Sequence, residues 1–506
     1  MPDVASFLED AAHFPGGHAS GIVFPLTVEE LADAVRSASA VLPIGAQSSL
    51  TGGATPRGEL ILSTTKMTSI LEETASTLTV QAGVTVAAIQ EHLAARGAWF
   101  PPAPTFTGAC AGGIVATNAA GAATFKYGST RDWVEALTVV LADGSAVHVR
   151  RGETVAAAGH LEFAGRRVPV PRYRMPAVVK RSAGYYAAAG MDLVDLFSGS
   201  EGTLGVVVDV TFRVLAPAPA FALALVACDS EAQGLALATA LRNASLATRR
   251  SGDPHGVDIA AIEHMDRRCI EVLIEDGVAA RENVAVPAAS QMLMLVQLEL
   301  PADTTAEAAY EQIASALAHD AGDTPLVRFS RFLESFDLLA STELALPGDH
   351  RRMEQLFRVR EAVPAGINHR VGVAKRTIDG RIAKTAADMI VPFEHFTEMN
   401  AIYRRGFESR GLDYAIWGHL SDGNVHPNVI PRSFEDVEKG YDAILEFGRE
   451  AARLGGCPLA EHGVGRSPVK QALLRQLYGD DGIEDMRAVK RALDPAWKFS
   501  PGVIFP

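Results

Sequence analysis

Residues 417–428 read WGHLSDGNVHPN, and this stretch organises the chain. Asp422-Gly423 is a favoured two-residue hairpin turn, because glycine tolerates a positive φ and aspartate adapts to it. With these two residues as the turn, His419 faces His426, and directly opposed Cβ atoms lie about 4.5–5.5 Å apart. The strand period of two places Asn428 on the same face as His426. The pattern therefore predicts two imidazoles close enough to share one divalent metal.

A second polar cluster, EHGVG, follows at residues 461–465. Glu461 can complete a metal site of two histidines and one glutamate that keeps a position open for a substrate. Neighbouring residues of an extended chain point to opposite sides, which leaves His462 to move a proton. A single histidine in a strand is more often a satisfied or surface residue. The metal hypothesis therefore depends on the combination of the hairpin with this cluster.

Composition limits the functions that this chain can have. Its 506 residues are enough for two or three domains, and 48% hydrophobic with 21% charged residues is typical of a globular protein. A net charge of −14, with no run of Lys or Arg, argues against a nucleic-acid partner. The four cysteines, which form no CxxC pair, indicate neither a zinc ribbon nor an iron–sulfur cluster: Cys110, Cys228, Cys269 and Cys457.

Localisation follows from the same kind of evidence. Scattered reduced thiols fit a cytosolic protein. The acidic N-terminus lacks the basic and apolar regions of a signal peptide. The sequence contains no run of about 18 apolar residues, the length needed to cross a bilayer. We therefore expect a cytoplasmic protein, with peripheral docking to the inner membrane left open.

Strands and helices alternate along the chain. After a strand that begins at residue 21, Thr27 is the expected N-cap of a helix. The next strand runs into the loop PIGAQSSLTGG at residues 43–53, whose small residues allow backbone N–H groups to converge on an anion. Residues 108–121 carry almost no bulky side chain, which suits either close approach to a flat ring system or tight helix packing. Strands Phe221–Ala227 and Met292–Leu300 alternate with helices and predict an antiparallel sheet covered by helices.

Seven motifs in this order resemble the flavin-dependent oxidoreductases of the vanillyl-alcohol oxidase type, in the branch of D-lactate, glycolate and D-2-hydroxyglutarate dehydrogenases. The motifs are Pro43–Gly53, Gly112–Gly121, Tyr127-Gly128, Leu141–Gly144, Gly199–Gly205, Gly418–Asn428 and Glu461–Gly463. The resemblance implies an α+β fold with a two-part FAD-binding domain, an inserted antiparallel-sheet substrate domain and a helical C-terminal segment. We place the FAD domain at 1–217, the substrate domain at 218–435, and at 436–506 the C-terminal segment, which packs back on the FAD domain.

The resemblance also implies the residues that hold FAD. They are Pro43, Ile44, Gly45, Ala46, Gln47, Ser48, Ser49, Gly53, Pro104, Thr105, Gly108, Gly112, Gly113, Asn118, Gly121, Tyr127, Gly128, Glu201, Gly202, Gly205 and Val207. Members that attach FAD covalently carry a histidine in the first loop, where this chain has residues 46–48 as Ala-Gln-Ser. We therefore expect non-covalent FAD.

The catalytic residues implied by the family are His462 as the base, Arg360 as the carboxylate ligand and Asn428 as a substrate or flavin contact. The implied metal ligands are His419, His426 and Glu461, and this donor set suits Zn or Mn. Several family members have a lysine at the position of Ala386, whereas the nearest lysine here is Lys384. This displacement disfavours a dicarboxylate substrate.

The sequence thus predicts an FAD- and metal-dependent dehydrogenase that oxidises a 2-hydroxy acid. Two alternatives are a flavoenzyme of the same fold with another reaction, such as alcohol oxidation or the alkyl transfer of ether-lipid synthases, and a non-catalytic flavin-binding subunit. Retention of both histidines, Glu461 and His462 argues against the second alternative. Without an iron–sulfur motif, we expect electrons to leave to a separate quinone, cytochrome or electron-transfer protein, and a homodimer is left open.

Overall fold

The computed structural model describes residues 4–102, 104–318 and 322–506. The chain divides into two compact units. Unit 1 contains residues 1–121, 127–216 and 448–506, and unit 2 contains residues 122–126 and 217–447. The C-terminal residues from 448 onward thus belong to unit 1, while residues 436–447 belong to unit 2.

The strands in chain order are β1 (Gly21–Val23), β2 (Val41–Ile44), β3 (Leu60–Ser63), β4 (Ile70–Glu73), β5 (Thr77–Gln81), β6 (Val134–Val140), β7 (Ala146–Arg150), β8 (His160–Phe163), β9 (Arg166–Pro169), β10 (Val206–Arg213), β11 (Ala220–Cys228), β12 (Asp258–Met265), β13 (Met292–Leu300), β14 (Thr342–Ala345), β15 (Met389–Ile390), β16 (Tyr414–His419) and β17 (Asn424–Val429).

The α-helices are α1 (Val28–Ser37), α2 (Val86–Ala94), α3 (Ala111–Ala116), α4 (Thr124–Tyr127), α5 (Leu193–Phe197), α6 (Glu231–Ser251), α7 (Arg267–Glu275), α8 (Val278–Glu282), α9 (Ala306–Ser315), α10 (Pro325–Ser335), α11 (His350–Thr377), α12 (Phe396–Glu408), α13 (Phe434–Arg453) and α14 (Pro468–Leu493). Among the described residues, no helix is both long and apolar enough to cross a bilayer.

Unit 1 contains a parallel sheet of order β1-β3-β2 and a five-stranded antiparallel sheet of order β4-β5-β10-β6-β7. Helix α1 begins where predicted, because the Thr27 side chain accepts a hydrogen bond from the Glu30 N–H. Its apolar face packs in a core with Leu62, Val140 and Val208. These sheets fix the ends of β2 and β10, from which two glycine-rich loops project.

Unit 2 is built on a seven-stranded antiparallel sheet of order β14-β11-β13-β12-β16-β17-β15, with helices packed against it. The sequence prediction of an α+β fold with an antiparallel sheet covered by helices is confirmed. Helix α11 continues through Pro364, although proline removes a backbone donor from the helix interior. Its residues Leu356, Val359 and Val363 are buried in the core with Trp417 of β16, and this packing outweighs the lost backbone hydrogen bond.

Candidate functional site

Unit 1 contains a cavity of about 310 Å³. Its walls come mainly from four segments within residues 43–54, 104–106, 109–120 and 200–207, and Glu461 and His462 complete the lining. The loops that follow β2 and precede β10 therefore meet at one cavity, together with the start of the short helix α3. This arrangement gathers glycines, hydroxyls and backbone groups around a single elongated space.

Most of the residues predicted to bind FAD line this cavity. They are Pro43, Ile44, Gly45, Ala46, Gln47, Ser48, Ser49, Gly53, Pro104, Thr105, Gly112, Gly113, Glu201, Gly202, Gly205 and Val207. Five others are not among its lining residues: Gly108, Asn118, Gly121, Tyr127 and Gly128. Asn118 instead accepts a hydrogen bond from the Arg131 N–H, and the Tyr127 carbonyl accepts one from the Trp133 indole. These contacts support the loops behind the cavity, and direct FAD binding by the five stays a prediction.

The glycines of α3 differ in what their missing side chains allow. A Cβ on Gly112 would lie 2.8 Å from the Cβ of Ala82, so this glycine permits close packing. A Cβ on Gly113 would meet no atom within 4 Å, and Gly113 lines the cavity. Tight packing is thus observed at Gly112, and close approach of a ring system to Gly113 stays a prediction. A space kept open beside backbone donors fits a flat, elongated cofactor such as FAD.

Replacing Gly113 with leucine should fill this space and prevent FAD retention. The helix itself tolerates leucine, so the expected defect is loss of bound flavin with the fold intact. Flavin absorbance per mole of purified protein measures the loss, and circular dichroism checks the fold. Gly380→Leu is a matched control, because it adds the same side chain at an exposed position with open space around it. Full flavin content in Gly113→Leu would contradict the assignment of this cavity to FAD.

Glu201 connects the two sides of the cavity. Its carboxylate accepts hydrogen bonds from the backbone N–H groups of Val464 and Gly465, both 2.8 Å long. Burial raises the pKa of the Glu201 carboxyl to about 7, although these two hydrogen bonds oppose the rise. The residue stands at a positive φ of 52° within the turn before β10. Glu201 therefore fixes the loop that follows Glu461 and His462.

The raised pKa of Glu201 predicts a pH-dependent stability. In the unfolded chain a glutamate loses its proton near pH 4.3, so between about pH 4 and 7 the unfolded state is ionised and the folded carboxyl is protonated. The free energy of unfolding should then fall as pH rises through this window, by on the order of 3 kcal/mol, and should not fall further above pH 7. Glu201→Gln should flatten this dependence in thermal unfolding measured from pH 4 to 8. The exposed control Glu162→Gln should keep it, and an unchanged slope in Glu201→Gln would contradict the prediction.

Glu461 and His462 lie on the same cavity, and the expectation that they point to opposite sides is wrong. The His462 Nε2 lies 3.5 Å from the Glu461 Oε1, because the chain bends at both residues and is not extended there. The Glu461 Oε2 lies 2.9 Å from the Nζ of Lys180, whose side chain is fully buried. The His462 side chain is 27% exposed. Lys180 was not among the residues predicted from the sequence.

The histidine hairpin of unit 2 has a different register from the one predicted. Its loop contains residues 420–423, and β16 pairs with β17 so that Trp417 is opposite His426 and His419 is opposite Asn424. Gly423 has the positive φ of 85° that the prediction required. The two histidines are diagonal neighbours on one face of the sheet, and diagonal pairs are still within reach of long side chains. Their ring centroids are 5.5 Å apart with nearly perpendicular planes, so the predicted proximity is confirmed for a different reason.

Each of the two imidazoles has a carboxylate close to its Nδ1 atom. The His419 Nδ1 lies 2.5 Å from the Oε1 of Glu263 on the neighbouring strand β12. The His426 Nδ1 lies 3.5 Å from the Oδ1 of Asp388. Metal-binding histidines commonly have a carboxylate at the second ring nitrogen, which orients the ring and raises its basicity. Two buried imidazoles, each with a carboxylate close to its Nδ1, therefore fit a divalent metal of the kind that imidazole prefers.

Arg360 joins the same network from α11. Its Nε donates to the Oε2 of Glu263 over 2.6 Å, and its side chain is only 9% exposed. Burial alone would raise the pKa of Glu263, but the charges of Arg360 and His419 and their hydrogen bonds lower it well below the ordinary value. Among the described residues, the two Nη groups of Arg360 have no hydrogen-bond acceptor. They form the remaining edge of the guanidinium, which suits a bidentate contact with a substrate carboxylate.

The remaining predicted residues lie in or beside this hairpin. The amide of Asn428 donates to the His426 carbonyl over 2.8 Å, and Asn428 is bridged to Ala386 on the segment before β15. Lys384 lies two residues earlier and is half-buried. The sequence reasoning missed Glu263, although a Glu-His pair inside the apolar strand β12 was a usable signal.

Replacing Glu263 with glutamine should weaken metal binding by roughly 10–100-fold, the range for residues that orient a ligating histidine. The reason is that a neutral amide no longer compensates Arg360 or holds the His419 ring. Competition with a chromophoric chelator measures the affinity. The exposed Glu354→Gln serves as the control, and wild-type affinity in Glu263→Gln would refute this role.

The fold and the cavity define a protein that binds an elongated cofactor between glycine-rich loops. The FAD binding domain family matches residues 19–150, and the family of FAD linked oxidases, C-terminal domain, matches residues 230–504. The second match covers more than half of the chain, and the chain belongs to the FAD-linked oxidases. The resemblance deduced from its motifs is thus confirmed, and FAD is its cofactor.

Curated relatives match over nearly the whole chain. The D-2-hydroxyglutarate dehydrogenase of Xanthomonas citri pv. viticola is 28% identical over 96% of this chain and 89% of its own length. The glycolate oxidase subunit GlcD of Bacillus subtilis is 28% identical over 92% of this chain and 83% of its own. The D-lactate dehydrogenase of Archaeoglobus fulgidus is 27% identical over 96% and 90%.

A solved structure shares the fold. Alkyldihydroxyacetonephosphate synthase aligns with a TM-score of 0.58 at 14% identity and covers 95% of this chain and 75% of its own. At this identity the likeness establishes the two-part FAD-binding fold and carries no statement about the reaction.

Proposed function

We propose that this protein is an FAD-dependent, divalent-metal-assisted dehydrogenase that oxidises a 2-hydroxy acid to the 2-oxo acid. D-Lactate or a glycolate-like acid is favoured over D-2-hydroxyglutarate. The observation that carries the proposal is the buried network of unit 2, in which two imidazoles, two carboxylates and Arg360 lie on one hairpin and its neighbours. The relatives named for lactate, glycolate and hydroxyglutarate support the substrate class.

The residues of the chain would divide the work as follows. Arg360 binds the substrate carboxylate through its two Nη groups, while Glu263 holds its Nε. His462 receives the proton of the 2-hydroxyl group, a task that suits histidine because the ordinary pKa of an imidazole lies close to neutral pH.

The cofactors would be held by the residues already described. FAD, when bound in the cavity of unit 1, supplies the two-electron acceptor. A divalent metal, Zn or Mn, would be held by His419 and His426 and supplies Lewis-acid polarisation of the 2-hydroxyl group. Glu461 as the third ligand and Asn428 as a substrate or flavin contact stay predictions from the sequence.

The substrate end of the site supports a small acid. Ala386 contributes only a methyl group beside Asn428, and a second carboxylate would need a cation there to offset its desolvation. We therefore propose that a monocarboxylate is preferred. The electron acceptor is proposed to be a separate quinone, cytochrome or electron-transfer protein, and a homodimer and a cytoplasmic or membrane-peripheral location stay predictions.

Anaerobic flavin reduction tests the proposal directly. Both enantiomers of lactate and 2-hydroxyglutarate, and glycolate, are mixed with the FAD-loaded protein, and bleaching of the flavin band is followed by stopped-flow absorbance. We expect bleaching by the D-enantiomer or by glycolate, slowed by prior treatment with a chelator and restored by Zn or Mn. Absence of bleaching with every 2-hydroxy acid would reject the proposal and favour a non-redox reaction on the same fold.

A further inference from the structure

Unit 1 contains a second cavity, of about 230 Å³, on the other side of the loop that carries Asn118. Three arginines line it, Arg131, Arg151 and Arg181, together with Tyr186 and the carboxylates of Asp132 and Asp195. No step of the proposed reaction uses these residues. Its volume is ample for several water molecules, each of which occupies about 30 Å³ in the liquid.

The carboxylates of Asp132 and Asp195 already interact with neighbouring groups of the protein. Asp195 lies 3.1 Å from the Nη1 of Arg151. The remaining groups of the Arg151 guanidinium donate to the carbonyls of Val134 and Arg131. Asp132 accepts hydrogen bonds from the N–H and the hydroxyl of Ser129. The cavity thus contains three arginines and only two aspartates. Because Asp195 pairs with Arg151, the positive charges of Arg131 and Arg181 are not fully neutralised.

Arg131 has a buried donor that finds no acceptor among the described residues. The residue is 7% exposed, and its Nε makes no hydrogen bond to any residue in the described ranges. The nearest carboxylate oxygen, on Asp195, is 3.9 Å away. Burial lowers the pKa of Arg131 to about 10, opposed by the charge of Asp195, so the guanidinium is a cation at neutral pH. A buried cation with an unused donor is costly unless an anion completes its environment.

Tyr186 brings the second arginine to the same place. The guanidinium of Arg131 lies 4.2 Å from the centroid of the Tyr186 ring, and that of Arg181 lies 5.4 Å from it. Within the described ranges, the one hydrogen bond that Arg181 donates runs from its Nη1 to the Pro176 carbonyl over 3.3 Å. Each guanidinium offers the planar set of N–H donors that oxygen anions accept, and both lie beside the same ring.

We propose that this cavity binds a small oxyanion, a phosphate or a carboxylate group, between Arg131 and Arg181. The anion accepts hydrogen bonds from the Arg131 Nε and from the Arg181 guanidinium, and it neutralises the excess positive charge of the cavity.

The proposed site is coupled to the FAD cavity through Arg131. The Nη2 of Arg131 donates to the Ser198 carbonyl, at the start of the turn that leads to Glu201. The same turn is held by backbone hydrogen bonds from Gly199 to Val115 and from Glu201 to Ala116. Residues 200–202 line the FAD cavity. An anion that fixes Arg131 therefore stabilises this turn and slows the loss of FAD.

Calorimetric titration of the FAD-loaded protein tests the site. Inorganic phosphate and acetate are titrated separately at constant ionic strength, and we expect saturable binding at one site for at least one of them. Arg181→Gln should weaken this binding at least about tenfold, the loss expected for one charge-assisted hydrogen bond. In the part of the chain that the structure describes, Arg131 and not Arg181 donates a hydrogen bond to the Ser198 carbonyl, so this variant avoids the folding role of Arg131. Arg167→Gln removes a charge from an exposed position of the same unit and should bind as the wild type does.

A second variant supplies the anion covalently. Tyr186→Glu places a carboxylate beside both arginines and should abolish binding of the free anion. The rate of FAD release, followed by flavin fluorescence, should fall on addition of the anion in the wild type and stay constant in Arg181→Gln.

The outcomes separate the sources of the ligand. Tighter binding of phosphate would identify phosphate as the anion, and tighter binding of acetate would identify a carboxylate. Absence of saturable binding for both, or equal binding by the wild type and Arg181→Gln, would overturn the site. Binding without any change in FAD release would overturn the coupling.

Discussion

Replacing His462 with asparagine should slow anaerobic flavin reduction by roughly 10²–10⁴-fold while FAD stays bound. This is the range for loss of a positioned general base. Asparagine keeps the size and polarity of the side chain but cannot accept the proton of the 2-hydroxyl group. His462 lines the FAD cavity at a half-buried position, so its loss leaves the core of unit 1 intact. Stopped-flow absorbance of the flavin band under substrate measures the rate.

The matched control for His462 is His148→Asn, on an exposed position of β7 in the same unit. It should reduce flavin at the wild-type rate. Flavin content distinguishes a catalytic effect from loss of cofactor, since only the former leaves the absorbance per mole unchanged. Unchanged flavin reduction in His462→Asn would remove this residue from the reaction.

Replacing His426 with alanine should remove the metal and lower turnover by roughly a hundredfold or more. A bound cation that acts as a Lewis acid is worth several kcal/mol, and each 1.36 kcal/mol is a factor of about ten in rate. Adding His419→Ala should lower turnover little further, because ligands of one ion act as a unit and their effects are not additive. Metal content by atomic emission and turnover with D-lactate or glycolate provide the two measurements.

The control for the two histidines proposed to bind the metal is His369→Ala, at an exposed position of α11 in the same unit. It should retain both metal and activity. FAD content should be unchanged in all three variants, because the residues that line the FAD cavity belong to unit 1. Full turnover in a His426→Ala protein that has no metal would show that the reaction does not need the cation.

Local patterns predicted much of the fold. The alternation of apolar strands with amphipathic helices predicted β11, β13 and the antiparallel sheet, and the position of Thr27 predicted the start of α1. These features depend on short-range hydrogen bonds and on periodicity, which a sequence displays directly. The continuation of α11 through Pro364 was not predictable in this way. It depends on burial of Leu356 and Val363 against a sheet whose strands lie far away in the chain.

The candidate site also combines features that local patterns predicted with features that depend on tertiary packing. His419 and His426 were found from their places around a glycine turn, yet their register depends on how residues 420–423 close the loop. Glu263 enters only because β12 pairs with β16. The sequence shows the Glu-His pair in β12, but it does not show that β16 lies beside this strand.

The sequence by itself predicted the family, through seven motifs that resemble it, and the proximity of the two histidines, through their places around a glycine turn. Only the tertiary structure decided which carboxylates lie close to the Nδ1 atoms of those histidines. It likewise decided that Lys180 is buried next to Glu461. It also decided that, within residues 4–102, 104–318 and 322–506, the buried Nε of Arg131 has no hydrogen-bond acceptor. Charge compensation inside a protein is a property of side chains distant in sequence, so it emerges only when strand pairing and packing bring them together.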